Sequence, residues 1–242
     1  EYERVVWIDA DVVIRANAPS IVDGVPEDLV GAVDEYSHPD PESYRRALRT
    51  LYRILEGQGV AVLRGDTPAE FYRAYGFEDG FEKVVNSGVL VLSPSRHRAV
   101  LESVYHRYED AGGPRMLAEM RPLSYELCKR GIVHWLDGRF NSLWSVAVVT
   151  RYPFLLRNPV HSAAAACIGE ALDRSHFLHF AGFHADMEGV DLSAALPKRR
   201  TRAPTRVDAE PPRCDVPIAL FLFNRPATTA RVLAAIRANG KY

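Results

Sequence analysis

Cysteine is scarce and scattered: Cys128, Cys167 and Cys214 are the only three in 242 residues. That is too few for a disulfide framework or a structural zinc site, and a reducing compartment is the default expectation. Surplus charge is missing as well. A net charge of −1 gives no electrostatic reason to expect nucleic acid as a partner. No apolar stretch approaches the roughly 20 residues of a membrane span. No signal peptide is read at the start, so a cytoplasmic chain is expected, with at most peripheral membrane association. Internal repeats and low-complexity tracts are absent too. What remains is ordinary globular composition, 47% hydrophobic and 25% charged. The length suits one sizeable α/β domain, or one domain plus part of another.

The informative stretch is the opening, Glu3-Arg-Val-Val-Trp-Ile-Asp9-Ala-Asp11-Val-Val-Ile14. An apolar run ends in two aspartates spaced i, i+2, which in an extended strand point to the same face. Buried strands of α/β sheets read as continuous apolar runs, and their carboxyl ends are where such sheets bind ligands. Two carboxylates aimed one way repel each other and need a proton or a cation between them. A hard divalent ion shared with phosphate oxygens meets that need.

Further along, Leu29–Val33 reads as a brief strand and Asp34–Pro41 as a polar turn. Ser43–Leu55 has helical spacing, with Tyr44, Leu48, Leu51, Tyr52 and Leu55 on one face. Arg45, Arg46, Arg49 and Arg53 fall opposite, as a solvated face rather than a phosphate site. A strand is possible at Val60–Leu63, and a helix around Pro68–Tyr75. Then Asn86-Ser-Gly88 forms a turn into the apolar strand of Val89 to Leu92, where glycine permits a close backbone approach or a bulge. Helices are predicted over Arg96–Tyr108 and Glu119–Arg130, the second ended by Gly131. Ile132–Leu136 reads as a strand, and Ala163–Ala171 as a helix or a tight loop.

Three histidines lie within nine residues, His176, His179 and His184. His179, behind a short apolar strand, is the candidate metal ligand. A lone histidine against Phe177 and Phe180 is more often a core residue, and partnership with Asp9 and Asp11 is what favours the ligand. Residues 188–214 carry Lys198-Arg-Arg-Thr-Arg202 and four prolines among few apolar residues, and read as a linker. Val216–Phe223 and Thr228–Ala238 then read as one β-α unit, residues 215–242, opening a second domain. A strand with no lead-in at one end and a β-α unit that stops short at the other suggest a fragment.

Asp9-Ala-Asp11 after an apolar strand, Asn86-Ser-Gly88-Val-Leu-Val-Leu92, and His179-Phe-Ala-Gly182, in this order, resemble the motifs of GT-A-fold glycosyltransferases of family 8. The Leu136-Asp-Gly-Arg-Phe-Asn141 segment is similar as well. The resemblance covers roughly residues 2 to 187. It implies an α/β domain over 1–187, with a mixed sheet flanked by helices and incomplete on its N-terminal side. It also implies a nucleotide-sugar donor, usually a UDP-sugar, with a glycan, lipid or protein as acceptor. Mn²⁺, or Mg²⁺, would be held by Asp9, Asp11 and His179. Asn86 and Gly88 would line the sugar side of the pocket, with Ser87 between them in the binding set. Gly182 would let the backbone approach the diphosphate, and His184 joins the binding residues. Two departures stand out. Glu119-Met-Arg-Pro-Leu-Ser124 occupies the place of the family's Asp-Gln-Asp-like cluster, leaving Glu119 as the catalytic substitute. His184-Ala-Asp186 replaces its Lys-Pro-Trp ending. The 215–242 unit resembles the opening of a family-2-like glycosyltransferase, which makes the parent a tandem enzyme.

The main rival is a haloacid-dehalogenase-type phosphatase, with Asp9 as nucleophile and Asp11 as general acid. It needs a later lysine and an acidic pair, for which Gly65-Asp66 with Glu70 is the best match. A catalytically degenerate glycosyltransferase-like binding domain is the non-enzyme alternative. An EF-hand loop is excluded, because Val13, Ile14 and Ser20 occupy its oxygen-ligand, glycine and glutamate positions.

Overall fold

The computed structural model describes residues 2–62, 64–108, 120–156, 161–183, 186–187 and 218–221. Two sheets are built around the opening strand. The larger contains Val5–Asp9 (β1), Val30–Asp34 (β3), Val85–Leu92 (β4), Val133–Trp135 (β5) and Ile218–Phe221 (β8), in the order β5-β3-β4-β1-β8. The smaller contains Val12–Ile14 (β2), Ser142–Leu143 (β6) and Phe177–His179 (β7), in the order β2-β7-β6. Both are mixed: β4 runs antiparallel to β1 and β3, while β3 is parallel to β5 and β1 to β8. This is the mixed α/β sheet architecture that the sequence predicts.

Alternation along the pleat sorts the apolar residues of the large sheet. Val6, Ile8, Val33, Val89 and Val91 face β2 and Phe177 of the small sheet. Val30, Ala32, Leu90 and Leu92 face Val100 and Leu127, which lie on the helices Pro94–Arg107 (α3) and Met120–Lys129 (α4). Beyond the small sheet, Val13 and Leu178 pack against Trp144 and Val148 of Trp144–Thr150 (α5). Ile168 and Leu172 of His161–Arg174 (α6) complete that cluster. The layers therefore run helix, sheet, sheet, helix. Each buried Val, Leu or Ile contributes about 1.5–3 kcal/mol, which ties the two sheets together.

The helix at Pro41–Gly57 (α1) starts where Asp40 accepts the Ser43 N–H at 2.8 Å, with Pro41 in its first turn. It buries Tyr44, Ala47, Leu48 and Tyr52 and leaves all four arginines exposed, so they form a solvated face. The shorter Pro68–Arg73 (α2) is capped by Thr67, and Glu70 accepts the Asp66 N–H. Gly131, at φ 64, ends α4 as its left-handed backbone allows.

Several expectations change. Val60 to Val62 form no strand. The strand read as beginning after Gly88 begins at Val85 and runs straight through Asn86-Ser-Gly88. Asp9 and Asp11 do not share one extended strand, because the chain turns at Ala10 and Asp11 between β1 and β2. Glu119 and His184 lie outside the described residues, as do the linker and most of the C-terminal β-α unit. Ile218–Phe221 pairs in parallel with β1, from Val6↔Ile218 to Asp9↔Phe221. Among the described residues, no helix is long and apolar enough to cross a membrane.

That pairing makes a prediction. Truncation after residue 214 would leave β1 with an open edge, and is expected to lower the melting temperature and promote association. An unchanged melting curve would assign residues 218–221 to a separate unit.

Candidate metal centre

The site forms where the two sheets meet. β1 ends at Asp9, and the turn at Ala10 and Asp11 hands the chain to β2. β2 pairs antiparallel with β7, Val12 opposite His179, and the Phe180 N–H donates to the Asp11 carbonyl at 2.8 Å. Two strand ends and one turn thus bring three side chains together. His179 Nε2 stands 3.3 Å from Asp11 Oδ1 and 3.7 Å from Asp9 Oδ2. One ligand atom from each residue falls within a 4.8 Å cluster.

Two like charges at this separation repel by about 4 kcal/mol at a near-surface effective dielectric, more than an exposed ion pair returns. A positive charge between them is required. The donor set, two carboxylate oxygens and one imidazole nitrogen, suits a divalent cation. At metal–ligand distances of about 2.1 Å, neighbouring ligands sit about 3 Å apart, so the observed gaps close with small side-chain movements. Asp9 is 39% exposed and His179 6%, so the cluster opens to solvent on the Asp9 side. A substrate can complete an ion's shell there.

Without metal, the positive charge falls on His179. Burial pulls its pKa down, but the Asp11 and Asp9 carboxylates, with Glu35 behind, outweigh that and leave it raised above the usual value. His38, His97 and His176 lack that company and are lowered, burial being the largest cause for each.

Gly88 lies beneath the imidazole. A Cβ there would meet His179 Cε1 and come within 2.7 Å of Nδ1. Glycine is needed because the histidine ring occupies the space. Its neighbour Asn86 is buried, and accepts the Gly88 N–H at 2.8 Å and the Asn141 amide at 2.6 Å. Ser87 is partly exposed. Gly182 is exposed at φ 72, with open space where a Cβ would stand, so the backbone can be approached closely there. His176, by contrast, packs against Phe140 and meets Arg15, away from the cluster.

No family model matches this chain, and no curated protein matches its sequence. A solved structure does. The chain is similar to the galactosyltransferase LgtC, solved in complex with donor and acceptor sugar analogs. Sequence identity is 16% and the TM-score 0.37, over 81% of this chain and 62% of that one. This chain therefore spans under two thirds of that protein's length. What the site can do follows from its own donor atoms.

Those atoms weigh against the phosphatase. Asp66 pairs with Arg49 at 2.5 Å, and Glu70 helps cap α2, so the acidic pair that reading needs is engaged at a helix start. The two described lysines, Lys83 and Lys129, lie over the rings of Trp135 and Tyr125.

Sequence reasoning missed Glu35 and gave Asn141 no role. Glu35 is buried, accepting the Tyr44 hydroxyl at 2.5 Å and the Asn86 amide. Burial pushes its carboxyl up. The one available signal was an acidic pair, Asp34-Glu35, directly after a strand.

Two predictions follow from this geometry. With His179 raised in the folded chain, its protonated form stabilises the metal-free protein. That contribution is complete below the ordinary histidine value of about 6.5 and fades as pH rises through the raised one. In EDTA, the melting-temperature advantage of wild type over His179→Gln should shrink with rising pH, and a constant difference would contradict it. Gly88→Ala should displace the imidazole at a cost of about 1–3 kcal/mol. Calorimetric Mn²⁺ titration should show weakened binding, whereas unchanged affinity would mean that the ring does not depend on the space above Gly88.

Proposed function

We propose that this chain carries a metal-dependent glycosyltransferase domain of the GT-A type. It would move a sugar from a nucleotide-diphosphate donor, a UDP-sugar, to a glycan, lipid or protein acceptor. The observation that carries the reading is the convergence of Asp9, Asp11 and His179 at one sheet edge. These three would hold a Mn²⁺ or Mg²⁺ ion. When bound, the ion supplies Lewis-acid neutralisation of the diphosphate as it leaves the sugar.

The chain's own residues do the rest. Asp9, the most exposed of the three, faces the side from which a donor enters. Asp11 and His179, set deeper, are held by the β2–β7 pairing. Such fixed charges need no rearrangement as negative charge develops on the leaving group. Gly182 leaves room for a phosphate oxygen to approach the backbone, and Ser87 is the member of the Asn86-Ser-Gly88 stretch that reaches solvent. Glu119, directly before α4 in sequence, is the proposed catalytic carboxylate.

The test is release of nucleoside diphosphate across a panel of nucleotide sugars, in Mn²⁺ or in EDTA. EDTA-sensitive release from one donor is expected, and Asp11→Asn should abolish it while leaving the far-ultraviolet circular dichroism unchanged. Undiminished turnover in Asp11→Asn would remove the reading. Mg²⁺-dependent cleavage of a phosphate monoester with no donor turnover would favour the phosphatase.

A further inference from the structure

A buried chain of hydrogen bonds leads away from the back of the metal centre. His179 Nδ1 meets Asn141 Oδ1 at 2.9 Å, Asn141 Nδ2 donates to Asn86 Oδ1 at 2.6 Å, and Asn86 Nδ2 donates to Glu35. Tyr44 closes it with its hydroxyl on the other Glu35 oxygen. Asn141 and Asn86 are 2% and 6% exposed, so water does not take over these bonds.

The direction of every bond is set by one group that cannot turn round. The Gly88 backbone N–H donates to Asn86 Oδ1, so that atom is the amide oxygen. Asn141 must then present its NH₂ to Asn86 and its oxygen to His179. An oxygen facing Nδ1 accepts only, so Nδ1 carries the hydrogen. In a neutral imidazole this leaves the lone pair on Nε2, the atom that faces Asp9 and Asp11.

We propose that Asn141 and Asn86, braced by Glu35 and aligned by the Gly88 amide, are positioning residues that fix the His179 tautomer for metal ligation. The proposal rests on the metal-centre reading above. Outer partners of this kind orient a ligand ring and raise its basicity, and their loss weakens metal binding about 10- to 100-fold. Asn86 thereby acts from inside the fold, behind the ligand.

The test uses the full chain. Two-bond ¹H–¹⁵N correlations of protein saturated with diamagnetic Mg²⁺, which relieves the carboxylates facing Nε2, report the His179 tautomer, and calorimetric Mn²⁺ titration reports affinity. Wild type should show the Nδ1–H form. Asn141→Leu, which lacks the acceptor, should populate the Nε2–H form and bind Mn²⁺ about 10- to 100-fold more weakly. Asn141→Gln keeps an acceptor for Nδ1–H and a donor for Asn86 Oδ1, and should restore the tautomer and part of the affinity. An Nε2–H tautomer in wild type would overturn the proposal without recourse to any variant, as would Asn141→Leu binding Mn²⁺ like wild type. Failure of wild type to bind Mn²⁺ would instead sink the metal-centre reading, and the proposal with it.

Discussion

Two carboxylates held either side of one tight turn must share a positive charge, and the fold is arranged around that demand. Asp9 and Asp11 cannot retreat from each other. Asp9 is fixed by the pairing of β1 with β4, and Asp11 by the handover into β2. His179 is delivered from about 170 residues later, by a strand of three residues. Its ring is the fixed nitrogen that a proton or a divalent ion can bridge to the carboxylates. A proton or a divalent ion would each satisfy the site. Competition between the two for Nε2 would couple metal affinity to pH.

The packing explains why so small a sheet can carry that duty. β2 and β7 would be marginal alone. Val12, Ile14 and Phe177 are buried against Val89 and Val91 of the large sheet, and Val13 and Leu178 against Trp144 and Ile168 behind. A strand buried on both faces keeps its register, because a slip by one residue would turn His179 away from the aspartates. The hydrogen-bonded asparagines add directional control to that positional control.

Legibility in the sequence followed the range of the interactions. The aspartate pair was visible because both members sit beside one apolar run. His179 was legible only in partnership, since a histidine between phenylalanines commonly belongs to a core. The asparagine chain was not legible. Its links join residues 51, 55 and 38 positions apart, and no local pattern marks them. Asn86-Ser-Gly88 was recognised as a motif and read as a turn, yet it is continuous strand. What looked like turn chemistry is the space that His179 requires. α5 escaped for a different reason. Val146, Val148, Val149 and Thr150 are β-branched and carry strand propensity, but burial of Trp144, Val146 and Val148 selects a helix there, packing overriding propensity. The C-terminal strand was identified as a strand, but its pairing with β1 depends on a contact more than 200 residues away in sequence.

The central claim is that Asp9, Asp11 and His179 together hold a divalent cation. The most direct measurement is anomalous diffraction at the manganese edge from crystals soaked in Mn²⁺. One strong peak is predicted, within bonding distance of an oxygen of each aspartate and of His179 Nε2. A saturating soak that leaves those three atoms without a peak, or places the ion on other ligands, would contradict the account.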